Sequence, residues 1–337
     1  MDARPHPPAT PSAVTLTGLG RRFGDLVAVE GLAFEVAPGE FFGLVGPDGA
    51  GKTTTLRMLA GVLRPSAGDA TVAGTSVARH PETVKRHIAY MPQRFGLYSD
   101  LSVRENIDFY ADLYQVPRSE RQARLERLYS FSGLGPFADR RAGQLSGGMK
   151  QKLSLCCCLI HEPRILLLDE PTFGVDPISR RDLWLIVHEM VARGVTVIAS
   201  TAYLDEAERC DRVALLHRGR IVGLDRPATL QARLHGQVLA VRTDAPRRAR
   251  DRLRAQPAVQ QAVLFGDVVH VRLGAAARDW PAARRDLEAD GIAVLEERAV
   301  EPSLEDVFID LARARDEMPD APSGPAPRAP AGGNTRA

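Results

Sequence analysis

Several features are scarce in this chain of 337 residues, and each scarcity narrows what the protein can be. No run approaches the ~20 apolar residues that span a bilayer, so we predict no membrane helix in this sequence. The first residues lack the apolar core of a secretory signal, so we expect no leader. The formal net charge is only +2, which gives no reason to expect nucleic acid as a partner. Any membrane role must therefore come through another chain.

Cysteine and lysine are also rare. Cys156, Cys157 and Cys158 are consecutive in an apolar helical pattern, and with Cys210 they show no C-x-x-C spacing of a metal site. We expect small, buried side chains in a reducing cytoplasm. Lysine occurs at only four positions, so nearly all positive charge is arginine, which we attribute to compositional bias of the source genome.

What is present is a nucleotide-triphosphate loop with the spacing G-x-x-x-x-G-K-[ST]. Its glycines let backbone N–H groups approach phosphates, Lys52 supplies charge to the outer phosphates, and the Thr53 hydroxyl is placed to ligate Mg²⁺. The apolar segment 41–45 predicts a buried strand before the loop. A helix predicted after it adds the partial positive charge of its N-terminus. The residues predicted to bind the nucleotide here are Gly46, Pro47, Asp48, Gly49, Ala50, Gly51, Lys52, Thr53 and Thr54.

Two acids follow the apolar run 165–168, which predicts a strand buried on both faces. Asp169 and Glu170 would thus lie at the carboxyl end of a strand, where α/β sheets bind ligands. Adjacent side chains on a strand point in opposite directions, so the two acids can have different roles. Asp169 suits Mg²⁺, and Glu170 suits orienting or deprotonating an attacking water. Two solvated acids at a strand end are the plain alternative.

The segment Leu145–Gln151, with the sequence LSGGMKQ, is the most discriminating feature. It predicts a loop that opens a helix, with Ser146 near the N-cap and Gly147 and Gly148 exposing backbone N–H groups. These groups form a second anion site, and one phosphate loop per chain cannot occupy both sites.

With these motifs, residues 14–233 resemble the ATP-binding subunits of ATP-binding cassette (ABC) transporters. The resemblance implies an α/β fold, namely the ABC-type nucleotide-binding domain of P-loop NTPases with a helical lobe, and ATP and Mg²⁺ as cofactors. It also implies that Ser146, Gly147 and Gly148 contact the γ-phosphate of ATP held by an opposing subunit, so that a dimer sandwiches two nucleotides. The implied partners are a second cassette and integral membrane permease subunits.

Three further matches carry the resemblance. Phe23 lies where the family has the aromatic that stacks on adenine, although a core phenylalanine would look the same. Gln93 matches the Q-loop glutamine, which reaches toward Mg²⁺ and senses the membrane subunit, and residues 95–106 would receive that subunit's coupling helix. Asp176 matches the D-loop at the dimer interface. By this resemblance Glu170, Gln93 and Lys52 are catalytic, and the metal ligands are Thr53, Gln93 and Asp169.

After Gly236 the predicted strands and helices become shorter. Strand and helix patterns follow in the order βαββαβ, the ferredoxin-like arrangement, with a hairpin turn at Gly266-Asp267. We find no catalytic constellation there and expect a regulatory or interaction domain. The predicted strands span 238–242, 261–265, 268–273 and 292–296, and the predicted helices span 247–254 and 282–288.

A terminal helix at 304–314 carries apolar residues along one face. The length allows two domains, so we predict a cassette at 13–236 and a small α+β domain at 237–316. Tails at 1–12 and 317–337 are rich in proline, alanine and glycine and are predicted to be disordered. The apolar residues of the terminal helix are Leu304, Val307, Phe308 and Leu311.

Within the family, segments 90–93, 174–177 and 303–308 look like the branch that exports drugs and small molecules. The resemblance is closest to one half of a bacterial multidrug-export ATPase in which two cassettes are fused. Since this chain holds one cassette, the second must come from another copy or another chain. We therefore predict an ATPase subunit of an export complex, peripheral on the cytoplasmic face of the inner (plasma) membrane.

Two positions depart from the family pattern. Ala202 stands where the family has a histidine that hydrogen-bonds the γ-phosphate, and losing one such contact can slow turnover by about a few hundredfold. Thr201 or Tyr203 could compensate in part, whereas His188 and His217 lie too far along the chain. Asp48 replaces the usual asparagine, and we expect its side chain to point away from the phosphates. A slow or regulatory cassette and a soluble, non-transport ABC ATPase remain the alternative functions.

Overall fold

The computed structural model describes residues 11–234, 238–273 and 280–317, which form three β-sheets with helices packed on them. The strands are β1 (Val14–Phe23), β2 (Leu26–Val36), β3 (Phe41–Val45), β4 (Ala67–Val72), β5 (Thr75–Ser76), β6 (Ile88–Met91), β7 (Ile165–Asp169), β8 (Thr196–Thr201), β9 (Arg212–His217), β10 (Arg220–Asp225), β11 (Val238–Thr243), β12 (Val259–Phe265), β13 (Val268–Leu273) and β14 (Val294–Ala299). The helices are α1 (Lys52–Leu59), α2 (Pro81–Lys85), α3 (Val103–Leu113), α4 (Arg118–Ser132), α5 (Gly147–Leu159), α6 (Pro177–Ala192), α7 (Leu204–Ala207), α8 (Pro227–Ala232), α9 (Pro246–Arg254), α10 (Trp280–Ala289) and α11 (Leu304–Glu317), with short 3-10 turns at Gly135–Phe137 and Ala142–Gln144.

The central sheet has six strands in the order β10-β9-β3-β8-β7-β6. Five strands run parallel, and β10 pairs antiparallel with β9. β3, β7 and β8 are buried along their whole length, as the apolar runs of β3 and β7 predict. Because these strands are parallel, the phosphate loop after β3 and the acids at the end of β7 meet at one edge of the sheet.

Alternate residues of β3 divide between two hydrophobic cores. Phe41 and Val45 pack with helices α3 to α6 on one face, while Phe42 and Leu44 pack against the antiparallel sheet β2-β1-β4-β5 on the other. The rings of Phe34 and Phe42 stack with centroids 4.9 Å apart. This two-residue alternation is the strand periodicity that fixes β3 between two layers.

The helical lobe between β6 and β7 contains α3, α4 and α5. α3 spans Val103–Leu113 and begins with a capping box formed by Ser102 and Glu105. All four cysteines are buried and unpaired, as predicted. Burial raises the pKa of the Cys156 thiol to about 12, so it stays neutral. None of the helices in the described ranges is long and apolar enough to cross a membrane.

The small sheet has the order β12-β13-β11-β14 with antiparallel pairing throughout. Together with α9 and α10 it gives the predicted βαββαβ order of elements. Several bounds differ from the prediction by one to three residues. β12 begins at Val259 rather than residue 261, β14 spans Val294–Ala299 rather than 292–296, and α11 continues through Glu317, where the tail was predicted to start. The predicted boundary at residue 236 lies outside the described residues, as do nearly all of both predicted tails.

The apolar face of α11 packs on the first part of the chain rather than on the small sheet. Leu304 and Val307 belong to the core that contains the helical lobe, and a Cβ on Gly223 of β10 would lie 2.8 Å from a methyl carbon of Leu311. His217 Nε2 lies 3.1 Å from Asp316 Oδ1. The opposite face of α11 faces the small sheet, so this helix joins the two parts.

Candidate nucleotide site

The phosphate loop lies between β3 and α1 and depends on glycine at its end. Gly51 has φ 101°, and a Cβ there would lie 2.7 Å from the carbonyl oxygen of Ala28. A side chain is therefore excluded by both conformation and space. No side chain caps α1, and its first turn holds no acid, so its N–H groups are left for an anionic ligand.

Lys52 is the buried cation of the loop, with only 4% of the residue exposed. Its Nζ donates to the carbonyl oxygens of Gly46 at 2.7 Å and Pro47 at 3.1 Å. It also lies 3.0 Å from Glu170 Oε1. The lysine therefore connects the loop to the acid at the end of β7.

Asp169 lies directly beneath the loop and is 1% exposed. Its Oδ1 accepts hydrogen bonds from Thr53 Oγ1 at 2.9 Å and Ser200 Oγ at 2.8 Å, and its Oδ2 accepts one from Tyr90 OH at 3.3 Å. Burial, reinforced by the Asp169 charge, raises the pKa of Tyr90 to about 12, so the phenol remains a donor.

Ser200 and Tyr90 are two residues of the site that the sequence analysis missed. Ser200 pairs with Asp169 across the parallel strands β8 and β7. The available signal was a serine directly after the short apolar run 197–199, but strand order cannot be read from the sequence.

Glu170 is held by two neighbouring side chains and by its own backbone N–H. Gln93 Nε2 donates to Glu170 Oε2 at 2.9 Å, opposite the lysine contact. The Glu170 N–H lies within reach of two oxygens of Ser200, Oγ at 3.0 Å and the carbonyl at 3.2 Å. The residue has φ 49°, which is uncommon for a side chain other than glycine. These contacts explain how that conformation is maintained.

A cleft of about 520 Å³ gathers most of the predicted nucleotide-binding residues. Its lining includes Phe23, the loop from Asp48 to Thr54, Gln93 and Glu170. Phe23 is 44% exposed, so it is not a core residue. The guanidinium of Arg21 lies 4.6 Å from its ring centroid. A planar base stacked on this ring is compatible with the placement, although the stacking itself stays a prediction.

The signature segment lies apart from this cleft. Ser146 is the N-cap of α5, where its Oγ accepts from Met149 N–H at 3.3 Å. Ser146 and Gly147 are exposed, and neither is among the described residues that line the cleft. A Cβ on Gly148 would lie 2.2 Å from Ser179 Oγ, so this glycine permits close packing of α5 on α6. The second predicted anion site is thus open to another molecule.

Comparison with known proteins places the chain in a family. A sequence profile of the family described as ABC transporter matches residues 29–173. The Nod factor export ATP-binding protein I of Rhizobium sp. (strain N33) is 37% identical over 301 residues, which cover 89% of this chain and 96% of that protein. The chain belongs to the ABC transporter family.

Another ABC relative is the probable multidrug ABC transporter ATP-binding protein YbhF of Escherichia coli (strain K12). It is 44% identical over 305 residues, which cover 89% of this chain and 52% of that protein. The chain thus spans about half the length of that relative. A solved structure described as the ATP binding subunit of an ABC transporter is 30% identical, with a TM-score of 0.60 over 66% of this chain and 93% of that chain. The predicted fold class and family resemblance are confirmed.

The structure places the departures from the ABC pattern beside Glu170. Ala202 is exposed and lines a cavity of about 130 Å³ together with Asp48, Glu170 and Tyr203. Its methyl group can neither donate nor accept a hydrogen bond. Asp48 lines both this cavity and the nucleotide cleft, so the expectation that its carboxylate points away from the phosphates stays a prediction.

The residues considered as substitutes for the ABC histidine are engaged elsewhere. The Thr201 hydroxyl is buried and donates to Glu206 Oε2 at 2.6 Å. The Tyr203 ring lies under the guanidinium of Arg180 at 4.4 Å. His188 packs edge-on against Phe41, and His217 faces Asp316. Of these four, only Tyr203 lies beside Ala202 with a side chain that is not already hydrogen-bonded in the core.

Proposed function

We propose that this chain is the ATP-hydrolysing subunit of an ABC-type export complex. The observation that carries the proposal is the meeting of Lys52, Glu170 and Gln93 at the open end of the phosphate loop, with the buried Asp169 and the half-buried Thr53 beside them. A general triphosphate binder has no need of the exposed signature segment on α5. The relatives' names, with multidrug and Nod factor export, support an export function.

In this proposal the chain's own residues share the work of hydrolysis. The N–H groups of the loop and of α1 bind the phosphates, and Lys52 neutralises the outer ones. Glu170 orients the attacking water and accepts its proton, while the Gln93 amide holds the carboxylate in place. Aligning water and phosphate in this way removes much of the entropic part of the barrier.

The donor set fits magnesium. Thr53 Oγ1 and Asp169 Oδ1 lie 2.9 Å apart at the base of the cleft, and Gln93 adds an amide oxygen near Glu170. Hydroxyl, carboxylate and amide oxygens are the ligands that this small, hard cation prefers. We propose that Thr53, Asp169 and Gln93 hold Mg²⁺, which when bound neutralises charge on the β- and γ-phosphates.

A second cassette completes the site in this proposal. Ser146 and Gly147 present a helix N-terminus to solvent, and a two-fold axis would bring each signature segment to the other molecule's nucleotide. Asp176, the N-cap of α6, lies beside this segment, with its Oδ1 accepting from Ser179 N–H at 2.9 Å. The partner is a second copy or a homologous chain.

The membrane subunit is proposed to bind at an aromatic cluster that follows Gln93. Tyr98 and Phe109 are 47% and 38% exposed, with ring centroids 4.6 Å apart. Asn106, fully buried, fixes the preceding loop by accepting from Tyr98 N–H and donating to the carbonyl oxygens of Tyr98, Leu101 and Ser102. The chain would therefore sit peripherally on the cytoplasmic face of the inner membrane, with motion transmitted through Gln93.

Capture of a membrane protein tests this function. Tagged chain expressed in its source cells should retain a multi-span permease after detergent extraction, and Tyr98→Asp should lose it. Leu295→Asp is the matched control, because Leu295 is 63% exposed on β14, far along the chain from the cluster. If the wild type retained no multi-span protein, the soluble, non-transport ATPase would be favoured. Equal retention by both variants would show that the aromatic cluster is not the contact.

One observation favours a second candidate, the slow or regulatory cassette. Ala202 faces the cavity beside Glu170 without a polar group. Turnover by the purified chain, alone and with its permease, separates the two functions. A regulatory cassette would bind ATP yet release phosphate no faster when the permease is added.

A further inference from the structure

A second cavity lies away from the nucleotide site. Its volume is about 780 Å³, compared with about 520 Å³ for the nucleotide cleft. It is lined by Ile165 and Thr196, the first residues of β7 and β8. The nucleotide site lies at the other ends of these parallel strands, at Asp169 and beyond Thr201. The two cavities therefore open at opposite edges of the central sheet.

The wall of this cavity is mostly apolar and comes from both lobes. Leu128 and Phe131 of α4 contribute from the helical lobe, while Met190 of α6 and Val195 contribute from the side of the sheet. A cavity of this size with apolar walls is within the range of about 300–1,000 Å³ that small-molecule sites occupy. Its volume and composition suit an apolar body of that class.

Two of its four arginines are already neutralised by two acids, Glu120 and Glu162. Glu162 Oε1 lies 2.7 Å from Arg127 Nη2, and Glu162 Oε2 lies 3.2 Å from Arg124 Nη2. Arg124 also pairs with Glu120 and donates to the carbonyl oxygen of Ile160 at 3.0 Å. These two guanidiniums are therefore fixed as part of the wall and leave little charge for a ligand.

The other two arginines differ from each other. Arg193 pairs with Glu189 at 3.0 Å and lies over the Phe131 ring at 4.6 Å. Arg164, between α5 and β7, is exposed, and its guanidinium has no ionic or hydrogen-bonding partner among the residues described. The four guanidiniums thus face three carboxylates, namely Glu120, Glu162 and Glu189. One positive charge remains, and it lies at Arg164.

We propose that this interlobe cavity binds a small amphipathic monoanion, with its carboxylate on Arg164 and its apolar body against Phe131, Leu128 and Met190. The single uncompensated guanidinium selects one negative charge, since a carboxylate and a guanidinium form paired, charge-assisted hydrogen bonds. The apolar wall selects an alkyl or aryl body over a hydrophilic one.

Such a ligand would connect the two lobes, because α4 and the sheet edge would contact the same molecule. If ATP-driven closure moves the helical lobe, the ligand would change turnover by favouring one lobe arrangement. That regulatory effect rests on the proposed function. Binding itself does not depend on it, so the two can fail separately.

Calorimetric titration of the full chain tests the site, with dodecanoate as the probe below its micelle concentration. Dodecanoate should bind with one molecule per chain, and dodecyltrimethylammonium, which has the same alkyl chain and the opposite charge, should bind at least about tenfold more weakly. Arg164→Gln should weaken dodecanoate about tenfold. Arg298→Gln, at another exposed arginine, on β14, should change nothing.

Val195→Trp, which fills the cavity, should abolish dodecanoate binding. Should that variant fail to fold, the Arg164→Gln comparison still decides. Equal binding of the two detergents, or dodecanoate binding that Arg164→Gln leaves intact, would overturn the proposal. A second arm with phosphatidylglycerol vesicles distinguishes the source of the anion: retention of the chain that is lost in Arg164→Gln would assign it to a lipid head group.

Discussion

At the residue scale, the site depends on side chains whose partners leave them little freedom. Glu170 keeps a left-handed backbone conformation, which costs a residue with a Cβ about 1–2 kcal/mol. Lys52 and Gln93 fix its two carboxylate oxygens from opposite sides. In the proposed function Glu170 is the base, and this fixed position gives it the advantage of a preorganised site.

Replacing Glu170 by Gln should separate binding from hydrolysis. The amide keeps the shape of the side chain and its contact with Gln93 but cannot accept the proton from water. We expect phosphate release to fall by about 10²–10⁴-fold, while ATP affinity changes little because the phosphate loop is intact. Phosphate release and equilibrium ATP binding measure the two effects. Glu208→Gln, on the surface after α7, is the control, and turnover near the wild-type rate in Glu170→Gln would remove Glu170 from catalysis.

Ala202→His should increase turnover. An imidazole at this exposed position beside Glu170 could donate to the terminal phosphate, and one such donor contributes up to about a few hundredfold. Ala202→Leu adds comparable volume without a donor and should not raise the rate. Steady-state ATPase assays of the three proteins decide. A rate that histidine leaves unchanged would show that Ala202 does not limit turnover.

His161 should make stability depend on pH. It stacks on Tyr114 at 3.8 Å, and its Nε2 lies 3.2 Å from the carbonyl oxygen of Ile88. Burial lowers its pKa below the ordinary 6.5, so the unfolded chain binds this proton more readily than the folded one. Its contribution to the free energy of unfolding is therefore full above pH 6.5 and is lost as pH falls toward the lowered pKa. Urea denaturation at several pH values should show a smaller loss in His161→Gln, and equal losses in both proteins would contradict this assignment.

At the scale of elements, the sequence predicts what is buried better than what is exposed. β3 and β7 were predictable because burial on both faces demands continuous apolar runs. β14 was misplaced by two residues because five of its six residues are exposed, so VLEERA carries no alternation to read. The face of α11 was evident from its period, but its partner was not, because periodicity does not say which surface covers a face.

Leu304→Ala should destabilise the cassette although residue 304 follows the small sheet. Leu304 is fully buried in the core of the helical lobe, and removing such a side chain costs about 2–5 kcal/mol. The chain has two tryptophans, Trp184 in the cassette core and Trp280 in the small-sheet core. In a Trp280→Phe background, Trp184 fluorescence during urea denaturation therefore reports the cassette.

Leu295→Ala, at an exposed site of the same residue type, should shift that transition by no more than about 0.5 kcal/mol. If Leu304→Ala left the Trp184 transition in place, α11 would contribute to the small sheet alone. The comparison thus decides to which unit the last helix belongs in energetic terms.

At the scale of the whole molecule, local motifs predicted the residues of the site but not the surroundings that hold them. Lys52, Thr53, Asp169 and Glu170 could be placed together, because parallel strands bring their carboxyl ends to one edge. Ser200 and the interlobe cavity depend on which strands and helices become neighbours, and one sequence does not specify that order. Partners outside the chain are still harder to predict from motifs. Ser146, for example, does not line the nucleotide cleft of its own chain.

Mixing two inactive variants should restore activity if two copies of this chain form the sandwich. Lys52→Ala removes a chain's own phosphate charge, and Ser146→Arg blocks the signature segment it offers to its partner. Each variant alone forms dimers in which both sites are impaired. A mixed dimer has one doubly impaired site and one intact site, built from Lys52 of the second variant and Ser146 of the first. With random pairing, at most about a quarter of all sites are intact, as the two-fold symmetry requires.

ATPase rates of the separate and mixed proteins measure the recovery. A mixture of Arg298→Gln with Lys52→Ala is the control. A mixture no faster than the average of its components, beside a control mixture that retains activity, would show that Ser146 does not act across a pair of identical chains. A different cassette would then have to supply the signature segment.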